Sequence, residues 1–333
     1  MKKITYILLL SFIFSQNEVC FEIEENPNMN NQALNCFSKY VNVLDCFGVY
    51  AESSVSDAKV LHVASVIAEL LDNNEDGIVD DQNLFLELQA REALMPVFSS
   101  FSSPCMDNFE DYYNGDGVSA ALWRNEIDPN NPGHWGDDAT VEEVLHTINH
   151  VGHVSLYPEY FDITPNSSVM SDAMDIARGG QFITMPSQYP DEAWYHYDDW
   201  TCDYECMAIE YLYWCIVSHM GILDDTQTCL GIDNEWELCT PELFESTDIM
   251  MFDLITDPQH MIPQSAPDGN YCPFLGILGD VNSDMVIDVL DIISTVNIVL
   301  GHDSFNYAAD MNTDGIINIL DIILIVGIIL ATQ

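Results

Sequence analysis

Apolar residues recur at helical spacing in four segments of this chain. The first, 59–71, reads KVLHVASVIAELL, and the others cover 84–94, 140–151 and 206–220. Apolar positions three and four residues apart form one face of a helix, and that face packs against a core. Strand-like alternation is short and rare. The pattern therefore predicts a mainly α-helical main domain over residues 16–265.

The C-terminal part contains a two-fold repeat of an aspartate-rich loop followed by an apolar segment. The copies begin at Asp280 and Asp310 and stay in register, with Ile287 aligned to Ile317. Ca²⁺ takes six to eight oxygen ligands, which a tight loop supplies from positions 1, 3, 5, 7, 9 and 12. The predicted ligands are Asp280, Asn282, Asp284, the Val286 carbonyl, Asp288 and Asp291 in loop 1, and Asp310, Asn312, Asp314, the Ile316 carbonyl, Asn318 and Asp321 in loop 2.

Two features distinguish these loops from an ordinary EF-hand. Position 12 is Asp rather than Glu, and each loop is followed by one helix with no helix leading in. In both respects residues 279–331 resemble a dockerin type I module. The resemblance implies a small calcium-folded module, here taken as 279–333, that docks onto a cohesin-like or cell-surface protein. The chain departs from that family at Met285, where glycine is expected, and at apolar loop positions 10 and 11, which are Val289, Leu290, Ile319 and Leu320.

A third loop of the same kind lies between the first two predicted helices, at 72–83. It offers Asp72, Asn74, Asp76, the Ile78 carbonyl and Asp80 at positions 1, 3, 5, 7 and 9. Gly77 supplies the sharp turn, and Asn83 at position 12 is a weaker ligand than Glu. The alternative is an Asx-rich surface turn that joins two helices.

The segment 142–153 combines glutamate and histidine residues on one predicted helix. The candidate metal ligands are His146, His150, His153 and Glu210, and the candidate catalytic residues are Glu142 and Glu143. Histidines four residues apart can bind one Zn²⁺, as in HExxH metallopeptidases. Thr147 stands where those enzymes have their general-base Glu, so one of the two glutamates would have to act as ligand or base. His62 is a further possible ligand. The alternative is a polar helix face without metal.

Three main-domain segments resemble a group of secreted, uncharacterised proteins over most of residues 60–270. They read LDNNEDGIVDD, EEVLH and TCDYECMAIEYLYW. The resemblance carries no activity with it. Its recognisable part is Glu-Glu-x-x-His, which favours Glu142, Glu143 and His146 over His150 and His153.

Charge and composition exclude some classes of function. The formal net charge is −48, and no Lys or Arg follows Arg178. A phosphate backbone would be repelled, which argues against nucleic-acid binding. The apolar content of 48% supports a packed core. The apolar stretch 316–331 contains Asp321 and falls short of the roughly 20 residues of a membrane span, so no transmembrane span is expected after signal cleavage.

The N-terminus and the cysteines indicate export. Residues 1–15 have two lysines, a short apolar run and a small residue at the end, which is a signal-peptide pattern. Ten cysteines in an exported chain favour disulfides. The pairing stays open, although Cys202 and Cys206 are one helical turn apart and Cys229 and Cys239 flank a short loop. A zinc thiolate site is the competing interpretation.

Three functions fit these features. The first is a secreted zinc-dependent, peptidase-like hydrolase with a C-terminal docking module that follows a linker at 266–278. The second is a polysaccharide-degrading component, because dockerin-like modules often accompany enzymes of that kind; this inference rests on architecture alone. Aromatic residues such as Trp194, Tyr195, Tyr197 and Trp200 could stack on sugars in that case, but core packing is the preferred role. The third is a non-catalytic, calcium-stabilised surface protein.

Overall fold

The computed structural model describes residues 21–273, 278–282, 284, 286–302, 306–312 and 316–331. The expected signal peptide at 1–15 lies outside these ranges, as do Cys20, Met285 and Asp314. None of the described helices is both long enough and apolar enough for a membrane span.

The main domain is mostly helical, as predicted, and includes one small sheet. Its helices are α1 (Asp57–Leu71), α2 (Gln82–Ala90), α3 (Pro104–Tyr112), α4 (Thr140–Thr147), a π-helix (Ile148–His153), α5 (Val154–Leu156), α6 (Pro158–Phe161), α7 (Val169–Ala177), α8 (Tyr204–His219), α9 (Thr226–Ile232), α10 (Pro241–Thr247) and α11 (Ile249–Ile255). The strands are β1 (Lys39–Val43), β2 (Phe47–Ala51), β3 (Leu94–Phe98) and β4 (Leu122–Trp123).

The sheet has the strand order β1-β2-β3-β4. β1 and β2 form an antiparallel hairpin, whereas β2 with β3 and β3 with β4 are parallel pairs. Every residue of β2 and β3 is buried. Parallel strands are usually covered on both faces, which explains why neither strand has an alternating apolar pattern.

Helix α8 is the centre of the helical part. It packs against α4, α7, α10 and α11, and residues on several of its faces, such as Tyr211, Leu212 and Ile216, are fully buried. A helix that is apolar nearly all round is a core helix. Its position fixes the side chains that project from the neighbouring α4.

The predicted helix 84–94 ends earlier than expected. α2 stops at Ala90, and Glu92 adopts a positive φ of 55°. The amide of Ala93 then donates to the Leu88 carbonyl. Because this turn closes the helix, Leu94 begins strand β3 instead.

The disulfides in the main domain confirm the expectation of crosslinks. Pairs form between Cys36 and Cys105, Cys202 and Cys206, and Cys229 and Cys239, and Cys272 is also disulfide-bonded. A zinc thiolate site at any of these paired cysteines is therefore wrong. Cys46 and Cys215 are buried free thiols.

Residues 264–271 are held against the end of α1 by hydrogen bonds. The amides of Gly269 and Asn270 donate to Glu69 at 3.0 and 2.8 Å, and the Tyr271 hydroxyl donates to Asp72 at 2.6 Å. The Gln264 amide donates to the side chain of Asn73. The chain thus returns to its first helix before it enters the C-terminal repeat.

The C-terminal repeat contains α12 (Val289–Val299), a short 3₁₀ helix (Tyr307–Ala309) and α13 (Ile319–Ala331). α12 packs against α13, and a small core gathers around Val281, Ala309 and Ile325. This confirms the prediction that each loop is followed directly by one helix, and that 316–331 includes the helix of the second repeat.

Candidate metal centre and calcium loops

Helix α4 presents its charged side chains to a cleft because its other face is apolar. Val141, Val144 and Leu145 are buried in the core. Glu142 and His146 are four residues apart, so they lie on one face of the helix. The start of α4 is fixed by the buried Asp138, which accepts hydrogen bonds from the amide and hydroxyl of Thr140.

Glu210 on α8 completes a three-residue cluster with Glu142 and His146. One ligand atom from each of the three lies within 4.8 Å of the other two. Nε2 of His146 is 3.3 Å from Oε2 of Glu210, and Nδ1 of His146 is 3.5 Å from Oε2 of Glu143. His146 is only 7% exposed, and its Nε2 makes no hydrogen bond of good geometry, although the Glu210 carboxylate lies within ion-pair distance. A buried imidazole nitrogen that is poorly satisfied in this way can serve as a metal ligand.

The cluster carries excess negative charge. Burial, together with Glu143, Glu210 and Glu235, raises the pKa of Glu142 to about 8, although His146 opposes this rise. Burial disfavours the charged form of His146, but Glu210 and Glu143 outweigh it and raise the pKa of His146 well above its ordinary value. This raised pKa favours a proton on His146, which offsets part of the negative charge. A divalent cation could replace that proton.

A second layer of side chains supports the cluster. The ring of Tyr213 contacts His146 edge-on at 5.6 Å, and Nε1 of Trp214 donates to Glu235 at 2.9 Å. Burial raises the pKa of Glu235 to about 7, with Glu210 contributing further. Packing of this kind limits the rotamers of the ligands and fixes their orientation.

The structure does not bring His150 and His153 to this cluster. Both lie in the π-helix, where i→i+5 hydrogen bonds widen the turn, so residues four apart no longer stack. His150 is exposed at the rim of the cleft, with Nδ1 3.0 Å from the Ser119 hydroxyl. His153 is fully buried, and its Nδ1 is 2.9 Å from Oδ1 of Asn149. His62 is also elsewhere, paired with Asp138.

The cleft beside the cluster has a volume of about 570 Å³, within the usual range for small-ligand sites. Sequence reasoning missed Trp123, Asp203 and Glu205, which line it together with the cluster. Asp203 and Glu205 lie in the segment TCDYEC just before Glu210, so their position was a usable signal. Trp123 is distant in sequence from the cluster, and no sequence pattern connects it to the cleft.

Buried aspartates organise both loops of the C-terminal repeat in the same way. In loop 1, Asp291 is fully buried and accepts from the amides of Asn282 and Asp288. In loop 2, Asp321 is fully buried and accepts from the amides of Met311 and Asn318. In both loops, the carboxylate at position 12 therefore accepts hydrogen bonds from one amide near the start of the loop and one near its end. This oxygen-rich donor set suits Ca²⁺.

Residues 278–330 match the family model of the dockerin type I domain. The C-terminal module is a dockerin type I domain. Dockerin type I domains bind calcium, pair with cohesin partners in general and occur in extracellular proteins. The expected resemblance is thereby confirmed for this module. A search of curated proteins and a search of solved structures each returned no match to the chain.

The main-domain loop 72–83 has part of the same internal hydrogen-bond pattern as the first dockerin loop. The amide of Asp76 bonds to the side chains of Asp72 and Asn74, just as the amide of Asp284 bonds to those of Asp280 and Asn282. Gly77, with a φ of 87°, allows the tight turn.

The two loops differ at their closing positions. Asp80 at position 9 accepts from the amide of Asn73, whereas in the dockerin loop the corresponding bonds go to the aspartate at position 12. One oxygen of Asp72 also accepts from the Tyr271 hydroxyl. Calcium binding at 72–83 therefore stays a prediction.

The aromatic segment 194–200 is divided between core and surface. Tyr195 is fully buried and Nε1 of Trp194 donates to Asp248, so both have the expected core role. Trp200 is 80% exposed, and the core role is wrong for this residue.

Proposed function

We propose that this is a secreted, calcium-stabilised protein whose dockerin domain attaches it to a cohesin-like or cell-surface partner, and whose main domain is a zinc-dependent, peptidase-like hydrolase. The observation that carries the enzymatic part is the meeting of Glu142, His146 and Glu210 beside an open cleft, with Nε2 of His146 facing the Glu210 carboxylate but making no hydrogen bond. Imidazole and carboxylate ligands suit a zinc ion that keeps a position for water.

Each side chain of the cluster has a distinct role in this proposal. Glu142, His146 and Glu210 would hold the ion. When bound, zinc supplies Lewis acidity and lowers the pKa of a water molecule toward neutrality. Glu143, whose carboxylate contacts His146 at 3.5 Å from outside the three-ligand set, would accept the proton of the attacking water and return it to the leaving group. General bases of this kind contribute about 10²- to 10⁴-fold in rate.

A metal inventory tests the proposal. The protein is treated with EDTA, refilled with Ca²⁺ and Zn²⁺, dialysed and analysed for bound metal. The expected result is one zinc ion that is lost in His146→Ala but retained in His150→Ala, because His150 lies at the same cleft outside the cluster. A Glu143→Gln variant is expected to keep zinc and lose hydrolysis of a peptide or ester.

The other two functions are outcomes of the same experiment. Calcium alone, with binding or release of a polysaccharide, would favour a carbohydrate-active component. Calcium alone with no turnover would leave a non-catalytic surface protein. Zinc retained in His146→Ala would remove the cluster from the proposal.

A further inference from the structure

The cleft beside the metal cluster is lined by acidic side chains from two helices. Five carboxylates face it, namely Glu142, Glu143, Asp203, Glu205 and Glu210, and no Lys or Arg is among its described lining residues. A dication held by three of these ligands would still leave net negative charge on the cleft. Because low-dielectric walls focus such a field, cationic ligands are concentrated there and anionic ligands are excluded.

The outer pair of carboxylates, Asp203 and Glu205, is exposed at the start of helix α8. Asp203 caps the N-terminus of α8 by accepting from the amide of Cys206 at 3.1 Å, and Glu205 lies in the first turn. The disulfide between Cys202 and Cys206 ties this turn together. Since neither acid has a salt-bridge partner among the described residues, both are available to a ligand.

The same cleft also has apolar and aromatic surface. Ile163 and Ile209 line it together with Trp123, whose ring stacks on the exposed Phe101 at 4.0 Å between centroids. Long cationic side chains lay their methylene groups on such surfaces while the charged end reaches acidic groups. Indole rings add a cation–π attraction.

Two buried nitrogen atoms that make no hydrogen bond favour a ligand site over a solvated acidic patch. One is Nε2 of His146, a residue only 7% exposed, and the other is Nε1 of Trp123. Both residues line the cleft. An indole N–H without a partner can donate to a carbonyl oxygen of a bound peptide.

We propose that this cleft recognises a lysine or arginine side chain of a peptide, with Asp203 and Glu205 binding its charged end beside the metal cluster. The assignment rests on the proposed hydrolase function and names its substrate class. Cleavage would occur next to a basic residue.

Binding and cleavage of blocked tripeptides test the assignment separately. The probes are N-acetyl-Ala-Lys-Ala-amide and two analogues in which norleucine or glutamate replaces lysine. Norleucine keeps the aliphatic chain and removes the charge. N-acetyl-lysine-amide keeps the charged side chain but lacks both alanines, so it distinguishes recognition of the lysine residue alone from recognition of a peptide. Titration calorimetry on the full-length protein, refilled with Ca²⁺ and Zn²⁺, measures binding, and product analysis measures cleavage.

The informative variant is Asp203→Asn combined with Glu205→Gln. Asparagine is also a good N-cap, so helix α8 is retained. The matched control is Asp191→Asn with Glu192→Gln, a neighbouring exposed pair that does not line the cleft. We expect the lysine peptide to bind more tightly than both analogues. We expect the double variant to weaken it by roughly tenfold, as for exposed ion pairs, with no change in the control.

The outcomes separate two claims, the recognition of a basic side chain and the peptidase activity. Preferential binding of lysine without cleavage supports the recognition and refutes the peptidase. Equal cleavage of all three peptides supports the peptidase and refutes the recognition. Recognition of a lysine peptide is also refuted if the lysine preference persists in the double variant or if N-acetyl-lysine-amide binds as well as the lysine tripeptide. It is refuted as well if the lysine tripeptide does not bind at millimolar concentration.

Discussion

Replacing Asp138 by asparagine should strongly destabilise the main domain. The carboxylate is fully buried and accepts five hydrogen bonds. One oxygen accepts from the Asp128 amide and from the amide and hydroxyl of Thr140, and the other accepts from the Gly133 amide at 2.9 Å and lies 2.9 Å from Nε2 of His62. Asparagine has the same shape but only one acceptor oxygen, so its NH₂ group would face an N–H donor.

The expected loss of stability follows from these contacts. A buried donor left without its acceptor costs about 1 to 3 kcal/mol, and the two donors on the second oxygen, from Gly133 and His62, together predict a loss of about 2 to 6 kcal/mol. For a domain of this size, that loss lowers the melting temperature by roughly 4 to 24 °C. Because Asp138 also fixes the first turn of α4, the variant should also weaken the zinc site that we propose, measured at 25 °C.

The dependence on pH has a defined sign. Burial of Asp138 opposes ionisation, but the hydrogen bonds from His62, Thr140 and Gly133 outweigh it and lower the pKa of this carboxyl. Its contribution is therefore fully present above the unfolded pKa of about 3.9 and is lost as the pH falls through the lower folded value. The difference between wild type and variant should shrink in that acidic range.

Tryptophan fluorescence during urea or thermal unfolding is the appropriate assay. All six tryptophans lie in the main domain, so the dockerin domain does not contribute. The control is Asp137→Asn, which changes the adjacent, exposed carboxylate. If Asp138→Asn were as stable as this control at pH 7, the account of how α4 begins would be refuted.

The remaining predictions concern calcium, crosslinks and packing. EGTA should reduce helical circular dichroism before it shifts tryptophan fluorescence, since the dockerin aspartates repel one another without ions; unchanged helicity would contradict this. Cys36→Ser opens a loop of 69 residues and should lower the unfolding free energy of the oxidised protein by about 4 kcal/mol more than that of the reduced and alkylated protein. For Cys229→Ser, which opens a loop of 10 residues, the corresponding difference should be about 3 kcal/mol; equal effects of the two variants in urea melts would argue against a chain-entropy origin. Gly152→Ala places a methyl group 2.2 Å from Leu84 and should lower unfolding free energy by about 1 to 3 kcal/mol; a neutral melt would mean that Leu84 can move aside. Tyr271→Phe removes the hydrogen bond to Asp72 and should destabilise by about 1 kcal/mol, measured by the same fluorescence melts, with Tyr112→Phe as the exposed control.

Long helices with a strong apolar pattern were the predictable part of the fold. α1 and α8 agree with the predicted segments 59–71 and 206–220 to within two residues at each end. Shorter helices such as α9 contain fewer than two apolar repeats, which is too little for a periodic signal. Strands β2 and β3 are buried on both faces, so no alternation distinguishes them from helix.

The candidate metal site was predictable only in part. The four-residue spacing of Glu142 and His146 predicted their common face, and Glu210, which was offered as a further ligand, lies beside them. The π-helix that contains His150 and His153 could not be predicted from the apolar pattern, because that pattern does not distinguish i→i+5 from i→i+4 hydrogen bonding over six residues. The dockerin module was predictable from its repeat, since the spacing of the aspartates within each loop is local.

The return of the chain to α1 gives the protein a defined route for mechanical load. If the dockerin domain is anchored as proposed and the main domain is pulled by flow, tension enters at Cys272, which is disulfide-bonded. Tyr271 and the amides that bind Glu69 are next along the chain, whereas the acidic cleft lies elsewhere, between α4 and α8. A tether attached at that point can be pulled while α4 and α8 remain in register.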